Sequence, residues 1–168
     1  LYTSPSLYEF NDRIRINNEN ISDKDIMEFA VDIRDHVLST DIYFTEFELY
    51  TALAWMAFAK YEVDVAVIET GIGGRLDATN IIQSPLVSVI TKLAYDHQDV
   101  LGDTIEEIAG EKAGIIKPGS PVVYYPSEKA AVDVIAARAE ELGSSKRTVD
   151  LDALKYELNN NRTQNFVY

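Results

Sequence analysis

Two short apolar runs separated by a glycine-rich loop constrain this chain more than any other feature. VDVAVIE (Val63–Glu69) and LVSVIT (Leu86–Thr91) are rich in β-branched residues and lack strict polar alternation. Runs of this length and make-up fit strands buried on both faces of a parallel sheet. In open α/β sheets, ligands sit outside the carboxyl ends of the strands. Glu69 closes the first run and Asp96-His97 lies just past the second. If the strands are neighbours, both side chains reach one crevice. A helical stretch holding EKAGIIKPG then delivers Lys112.

Hard cations such as Mg²⁺ take carboxylate oxygens, phosphates and water, which suits Glu69. Imidazole suits Mn²⁺ and other transition metals better, so His97 is a less usual Mg²⁺ ligand. On spacing alone, Glu69 could equally end a strand and His97 bond a backbone carbonyl. The loop between the runs, TGIGGRLDATN, carries Gly71, Gly73 and Gly74, which permit positive φ and close approach of a ligand. It is neither G-x-x-x-x-G-K-[ST] nor G-x-G-x-x-G, so phosphate binding and a plain tight turn both remain open.

The remaining elements are read from caps and periodicity. Arg13 to Ile16 alternates as a half-exposed strand would, and Asn17 to Asn20 is a turn cluster. Ser22 reads as an N-cap for a helix over Asp23–Leu38, with His36 in the last turn, where a cation suits the dipole. Thr45 and Glu48 form a capping box. The helix that follows is apolar nearly all round and is expected inside a core, with Phe47, Tyr50, Trp55 and Phe58 as core aromatics. Thr104 and Glu107 form a second box, PVVYY gives a strand, and Ser127 is expected to cap a helix ending at Gly143. Asn159 to Asn161 reads as a turn and Arg162 to Tyr168 as a strand. The order β–α–β–α–β–α predicts a mostly parallel sheet flanked by helices.

Composition narrows the function. The 168 residues suffice for one domain with a real core. A net charge of −13 argues against a nucleic-acid partner, which needs a basic footprint. It also repels anionic substrates at long range, so a local positive centre would have to hold them. The absence of cysteine excludes disulfides and thiolate metal sites and fits a reducing cytoplasm. No apolar run approaches the roughly 20 residues that cross a bilayer.

The segments VDVAVIETGIGGRLDATNII and PLVSVITKLAYDHQDVLGDTIEEIAGEKAGIIKPGSPVV resemble the central domain of folylpolyglutamate synthase and dihydrofolate synthase. These are ATP-dependent amide-forming enzymes of the Mur-ligase superfamily. LYTSPSL, RIRINNENIS and TEFELYTAL match too, so the resemblance covers roughly residues 1 to 126. It implies a Mur-ligase-like, P-loop-NTPase-like α/β domain, here incomplete, with all 168 residues belonging to that domain and its boundary over 144–168 open. It further implies Mg²⁺ held by Ser4, Glu69, His97 and Lys112, the lysine as a carbamate. Glu69, His97 and Lys112 form the implied catalytic set. Thr45, Phe47, Glu48, Leu76, Asp77 and Ala78 match residues near the pterin, and the hairpin region near Arg13–Asn20 matches a mobile loop near the folate. Three positions depart from the family's pattern: Ser6 stands where His is frequent, Thr70 where Val is usual, and Tyr95 where Leu is common.

The implied reaction is ATP-dependent addition of L-glutamate to a folate or dihydropteroate by a monomeric enzyme, with no nucleic-acid or membrane partner. The family's phosphate-binding loop lies upstream of LYTSP, so the chain reads as a fragment that would not turn over ATP alone. A Mur-type ligase acting on a cell-wall precursor and a non-catalytic binding module are the alternatives. An amine must be neutral to add CO₂, and lysine shifts readily when desolvated, which is the physical case for Lys112. Without the resemblance, a lysine on a helix is an ordinary solvated charge.

Overall fold

Strong local signals set the elements of the computed structural model, which describes residues 1–153, 155–158 and 164–167. The chain divides into two units, Leu1–Ile82 and Gln83–Tyr168. The first holds β1 (Arg15–Ile16), β2 (Glu19–Asn20), α1 (Asp23–Leu38) and α2 (Glu46–Lys60). The second holds β3 (Ser88–Ile90), α3 (Gln98–Leu101), α4 (Ile105–Ala113), β4 (Val122–Tyr124), α5 (Lys129–Glu141), β5 (Lys146–Thr148), β6 (Lys155–Leu158) and β7 (Gln164–Val167).

In the first unit, β1 and β2 pair antiparallel across Asn17 and Asn18, both at positive φ. Two successive positive φ values match the twist of a tight hairpin, and asparagine tolerates them. Ser22 Oγ accepts the Asp25 N–H at 3.1 Å and opens α1 as expected. Thr45 and Glu48 close their capping box at the start of α2. The expectation that α2 is buried all round is not met. Thr51, Leu53, Ala54, Ala57 and Phe58 are buried, while Trp55 and Met56 are half-buried.

VDVAVIE departs further from expectation. Only Ile68 bridges a neighbour, Tyr2, and Val65 and Val67 are each 62% exposed. A β-branched run is buried only where adjacent strands and covering helices meet it. Among the described residues this run has one flanking strand segment, supplied by Tyr2.

The second unit is the anticipated parallel arrangement. Strands β3, β4 and β5 lie side by side in sequence order, all parallel, with helices in the connections. Ile90, Val122 and Tyr124 share a core with Ile108 and Ala109 of α4 and Ala131, Ile135 and Ala139 of α5. The alanines allow the two helices to approach each other closely. Val89 points to the opposite face and is 55% exposed.

The N-cap of α5 is Glu128, not Ser127. Ser127 Oγ instead accepts the Leu93 N–H at 3.1 Å, so a long-range bond has taken the expected cap. Gly143 follows α5 at φ 62°, as its role past a helix end requires. Strands β6 and β7 form an antiparallel pair. The turn expected over Asn159–Asn161 lies outside the described residues, as do Arg162, Thr163 and Tyr168 of the last expected strand.

One partly buried ion pair fastens α1 to α2. Lys60 Nζ donates to Asp25 Oδ1 at 2.7 Å, and the Tyr61 hydroxyl donates to Oδ2 at 2.7 Å. Ser22 Oγ donates to the same carboxylate. Lys60, then Tyr61 and Ser22, hold the Asp25 carboxyl well below the usual carboxylate range. Such a group stabilises the fold above its unfolded pKa, near 4, and that contribution fades as pH falls through the acid range. Asp25→Asn should therefore lower the urea midpoint at pH 7 and flatten its decline between about pH 5 and pH 2. Urea titrations at a series of pH values check this. Ile108, fully buried at the α4–α5 contact, should cost about 2–5 kcal/mol when cut to Ala, read from the same titrations.

Candidate active site

Ser4 and Glu69 are brought together by backbone pairing. Tyr2 N–H donates to the Val67 carbonyl at 2.9 Å, and Glu69 N–H donates to the Tyr2 carbonyl at 2.9 Å. This register carries the chain on to Ser4, whose N–H donates to Glu69 Oε2 at 2.8 Å. The carboxylate is solvent-exposed. The Ser4–Pro5 peptide is cis. Beyond it, the Asp12 carboxylate accepts the N–H groups of Leu7, Tyr8 and Glu9 and ties down the loop. These bonds, led by that from Tyr8, lower the Asp12 pKa.

The residues matched to a pterin site fall into two structural roles within the same unit. Asp77 and Phe47 are engaged in the fold. Asp77 is buried; its Oδ1 accepts from the Thr79 N–H at 2.9 Å and its Oδ2 from the Ile72 N–H at 2.9 Å. It therefore knits the glycine loop to the 3₁₀ turn Ala78–Ile81. Phe47 lies against Tyr2, ring centroids 6.1 Å apart, and over Gly71. A Cβ on Gly71 would meet Phe47 Cζ at 2.4 Å, so this glycine is needed for a side chain of the fold itself. Gly73 is the loop glycine at positive φ, 65°.

Glu48 and Ala78, by contrast, line an apolar cavity of about 530 Å³, a size that suits a small-molecule site. Its walls come from α1 (Asp32, Ile33, His36, Val37), from Phe44, from α2 and from the Ala78–Ile81 turn. Thr45 stands beside it as the α2 cap, its N–H donating to Glu48 Oε2 at 2.7 Å. That bond, with the one from the Thr45 hydroxyl, lowers the Glu48 pKa. Leu76 is 79% exposed. Sequence reasoning missed the α1 wall; Trp55, expected as a core aromatic, packs against the core and also lines the cavity. The available signal was that Ile33 and Val37 continue an apolar stripe past Phe29 at helical spacing.

In the second unit, His97 follows β3 in the loop at its carboxyl end and opens α3. Its backbone sits at φ 51°, the left-handed region, which is uncommon for a non-glycine residue and clusters at functional sites. Asp96 Oδ1 accepts the His97 N–H at 2.8 Å and holds this turn. Lys112 occupies the last turn of α4, half-buried. Among the described residues, none of the ion pairs in this unit uses it. No three His, Cys, Asp or Glu side chains gather as around an ion among the described residues.

Parallel strands joined through helices, with His97 in the loop beyond a strand's carboxyl end, define an α/β domain. No family profile matches the chain. Individual relatives do. The chain is 45% identical over 144 residues to the dihydrofolate synthase/folylpolyglutamate synthase of Bacillus subtilis, covering 83% of this chain and 33% of the relative. It is 45% identical over 157 residues to the folylpolyglutamate synthase of Lacticaseibacillus casei, covering 90% and 36%. A folylpolyglutamate synthase–AMPPCP–folate complex superposes with a TM-score of 0.91 at 43% identity, covering 98% of this chain and 42% of that one. Over most of its length the chain is homologous to folylpolyglutamate and dihydrofolate synthases. It spans about a third of the length of these curated relatives.

The Phe47–Gly71 contact gives a direct check on the loop. Gly71→Ala should destabilise the protein by about 1–3 kcal/mol through overpacking. In a Phe47→Ala background the same change should cost far less, and a double-mutant cycle by thermal or urea unfolding measures the difference.

Proposed function

We propose that the protein containing this chain is an ATP-dependent ligase that joins L-glutamate to a folate or to dihydropteroate, and that this chain is part of its central ATPase domain. The observation that carries the reading is the 43% identity and 0.91 TM-score to the folylpolyglutamate synthase–AMPPCP–folate complex across 98% of the chain. A cysteine-free sequence suits action in the reducing cytoplasm. Among the described residues, no helix is long and apolar enough to cross a membrane.

In this reading ATP transfers its terminal phosphoryl group to a carboxylate of the folate substrate, giving an acyl phosphate. The amine of glutamate attacks the acyl carbon, the new amide forms and phosphate leaves. Ser4 and Glu69 of the first unit would offer Mg²⁺ oxygen ligands, and within the second unit His97 and a carbamylated Lys112 carry donors of the kind that ion takes. The donor chemistry fits: hydroxyl, carboxylate and carbamate oxygens are hard ligands, and imidazole is a compatible donor. The exposed Glu69 carboxylate, with one oxygen accepting the Ser4 N–H, leaves donor capacity for an ion. When bound, the ion would offset charge on the phosphate oxygens.

The chain's own residues bind and orient. Ser4 N–H fixes the Glu69 carboxylate, and Asp96 fixes the His97 turn. Glu48 and Ala78 border a cavity for the flat pterin end. Holding the reacting groups in line, rather than covalent chemistry by a side chain, is the main contribution.

Incorporation of labelled glutamate into dihydropteroate and tetrahydrofolate, with ATP, tests the function in the full-length protein. A preference for a muropeptide precursor would overturn it. Glu69→Ala should lower kcat on the order of 100-fold. Lys112→Ala should be similarly impaired and partly restored by short carboxylates, which can replace the carbamate oxygens. Full activity of untreated Lys112→Ala would remove the carbamate role.

A further inference from the structure

We propose that the C-terminal half of α1 and the Ser39–Phe44 connection form a strap that closes over the α1–α2 cavity onto the flat aromatic end of the substrate. The proposal rests on the folate reading above and adds to it the moving element of the site.

Helix α1 is fastened at one end. Its buried residues are Asp25 and Phe29, and Asp25 is bonded to Lys60 and Tyr61 at the far end of α2. Past Phe29 the helix rests mainly on Ile33 and Val37, both half-buried. Cavities of about 530 and 330 Å³ lie along its flanks, and Ile33 and Val37 line both. A helix end bordered by open clefts makes fewer packing contacts than one seated in a core, so it can shift at lower cost.

The connection to α2 has the complementary character. Val37 and Phe44, at its two ends, both line the larger cavity. Between them Leu38 is 77% exposed, Ile42 62% and Tyr43 101%. Three large apolar side chains in water, on a short segment anchored at both ends on a cavity wall, gain by folding inward over a bound ring. The occupant suits the walls: Trp55, Met56 and Phe44 offer flat and pliable apolar surface, and Glu48 and Ala78 come from the pterin set.

Tyr43 isolates the strap from the fold. A side chain exposed this fully supports nothing in the open state, so Tyr43→Ala should leave the melting temperature of the full-length protein unchanged. It should raise the folate KM about tenfold with a smaller effect on kcat, and Tyr43→Phe should restore most of the loss. Hydrogen exchange of the wild type should show amides of 31–44 gaining protection on adding tetrahydrofolate, with those of 23–29 unchanged. Folate binding with unaltered exchange over 31–44, or an unchanged KM for Tyr43→Ala, would overturn the strap alone. Failure of the wild type to bind either dihydropteroate or tetrahydrofolate would overturn the folate reading and the strap with it.

Discussion

The first unit depends on Tyr2. Its backbone accepts and donates across the Val67–Glu69 segment, and its position also bridges Ile14 of the hairpin region. Its ring, 1% exposed, packs against Phe47 of α2, and its hydroxyl lies 3.3 Å from the Thr51 hydroxyl. One residue thus joins three segments distant in sequence. The Ser4–Glu69 contact is a geometric result of that junction: two residues past Tyr2 on one strand meet the end of the adjacent one. A solvent-exposed carboxylate is placed by main-chain pairing, which is stiffer than any single side-chain bond.

The second unit obtains its rigidity differently. Small side chains on α4 and α5 let the helices close up over Ile90, Val122 and Tyr124. The loop after β3 is then free to adopt the unusual backbone at His97, because the strand before it and α4 after it are both fixed by burial. Lys112 sits one residue before Ala113, which is 1% exposed, so its backbone is anchored while its side chain stays only half-covered.

What could be read from the sequence was local. Ser22, Thr45 and Thr104 cap as expected, because a hydroxyl and the N–H three residues on are brought together by the helix turn itself. Ser127 fails as a cap because Leu93, thirty-four residues earlier, claims its oxygen. Strand β5 went unseen because Lys146-Arg147-Thr148 is exposed throughout and carries no apolar pattern. The valines of VDVAVIE suggest a strand buried on both faces, whereas the run makes a single bridge at Ile68, because its burial depends on partners that a single run of sequence does not name. For the site, the Ser4–Glu69 contact accords with the grouping that the resemblance implies. The contacts of Phe47 with Gly71 and of Asp77 with Ile72 were not legible, since those partners lie on a separate loop.

The bare valines at 65, 67 and 89 have a bearing on handling. Extended segments with uncovered β-branched side chains are adhesive toward their own kind. A net charge of −13 opposes that adhesion by mutual repulsion between copies. Because repulsion between exposed charges reaches only about 8 Å at physiological ionic strength, colloidal behaviour of this polypeptide is governed by the buffer as much as by its fold. Dilute, low-salt solutions favour dispersed molecules, and concentrated brine favours clumping.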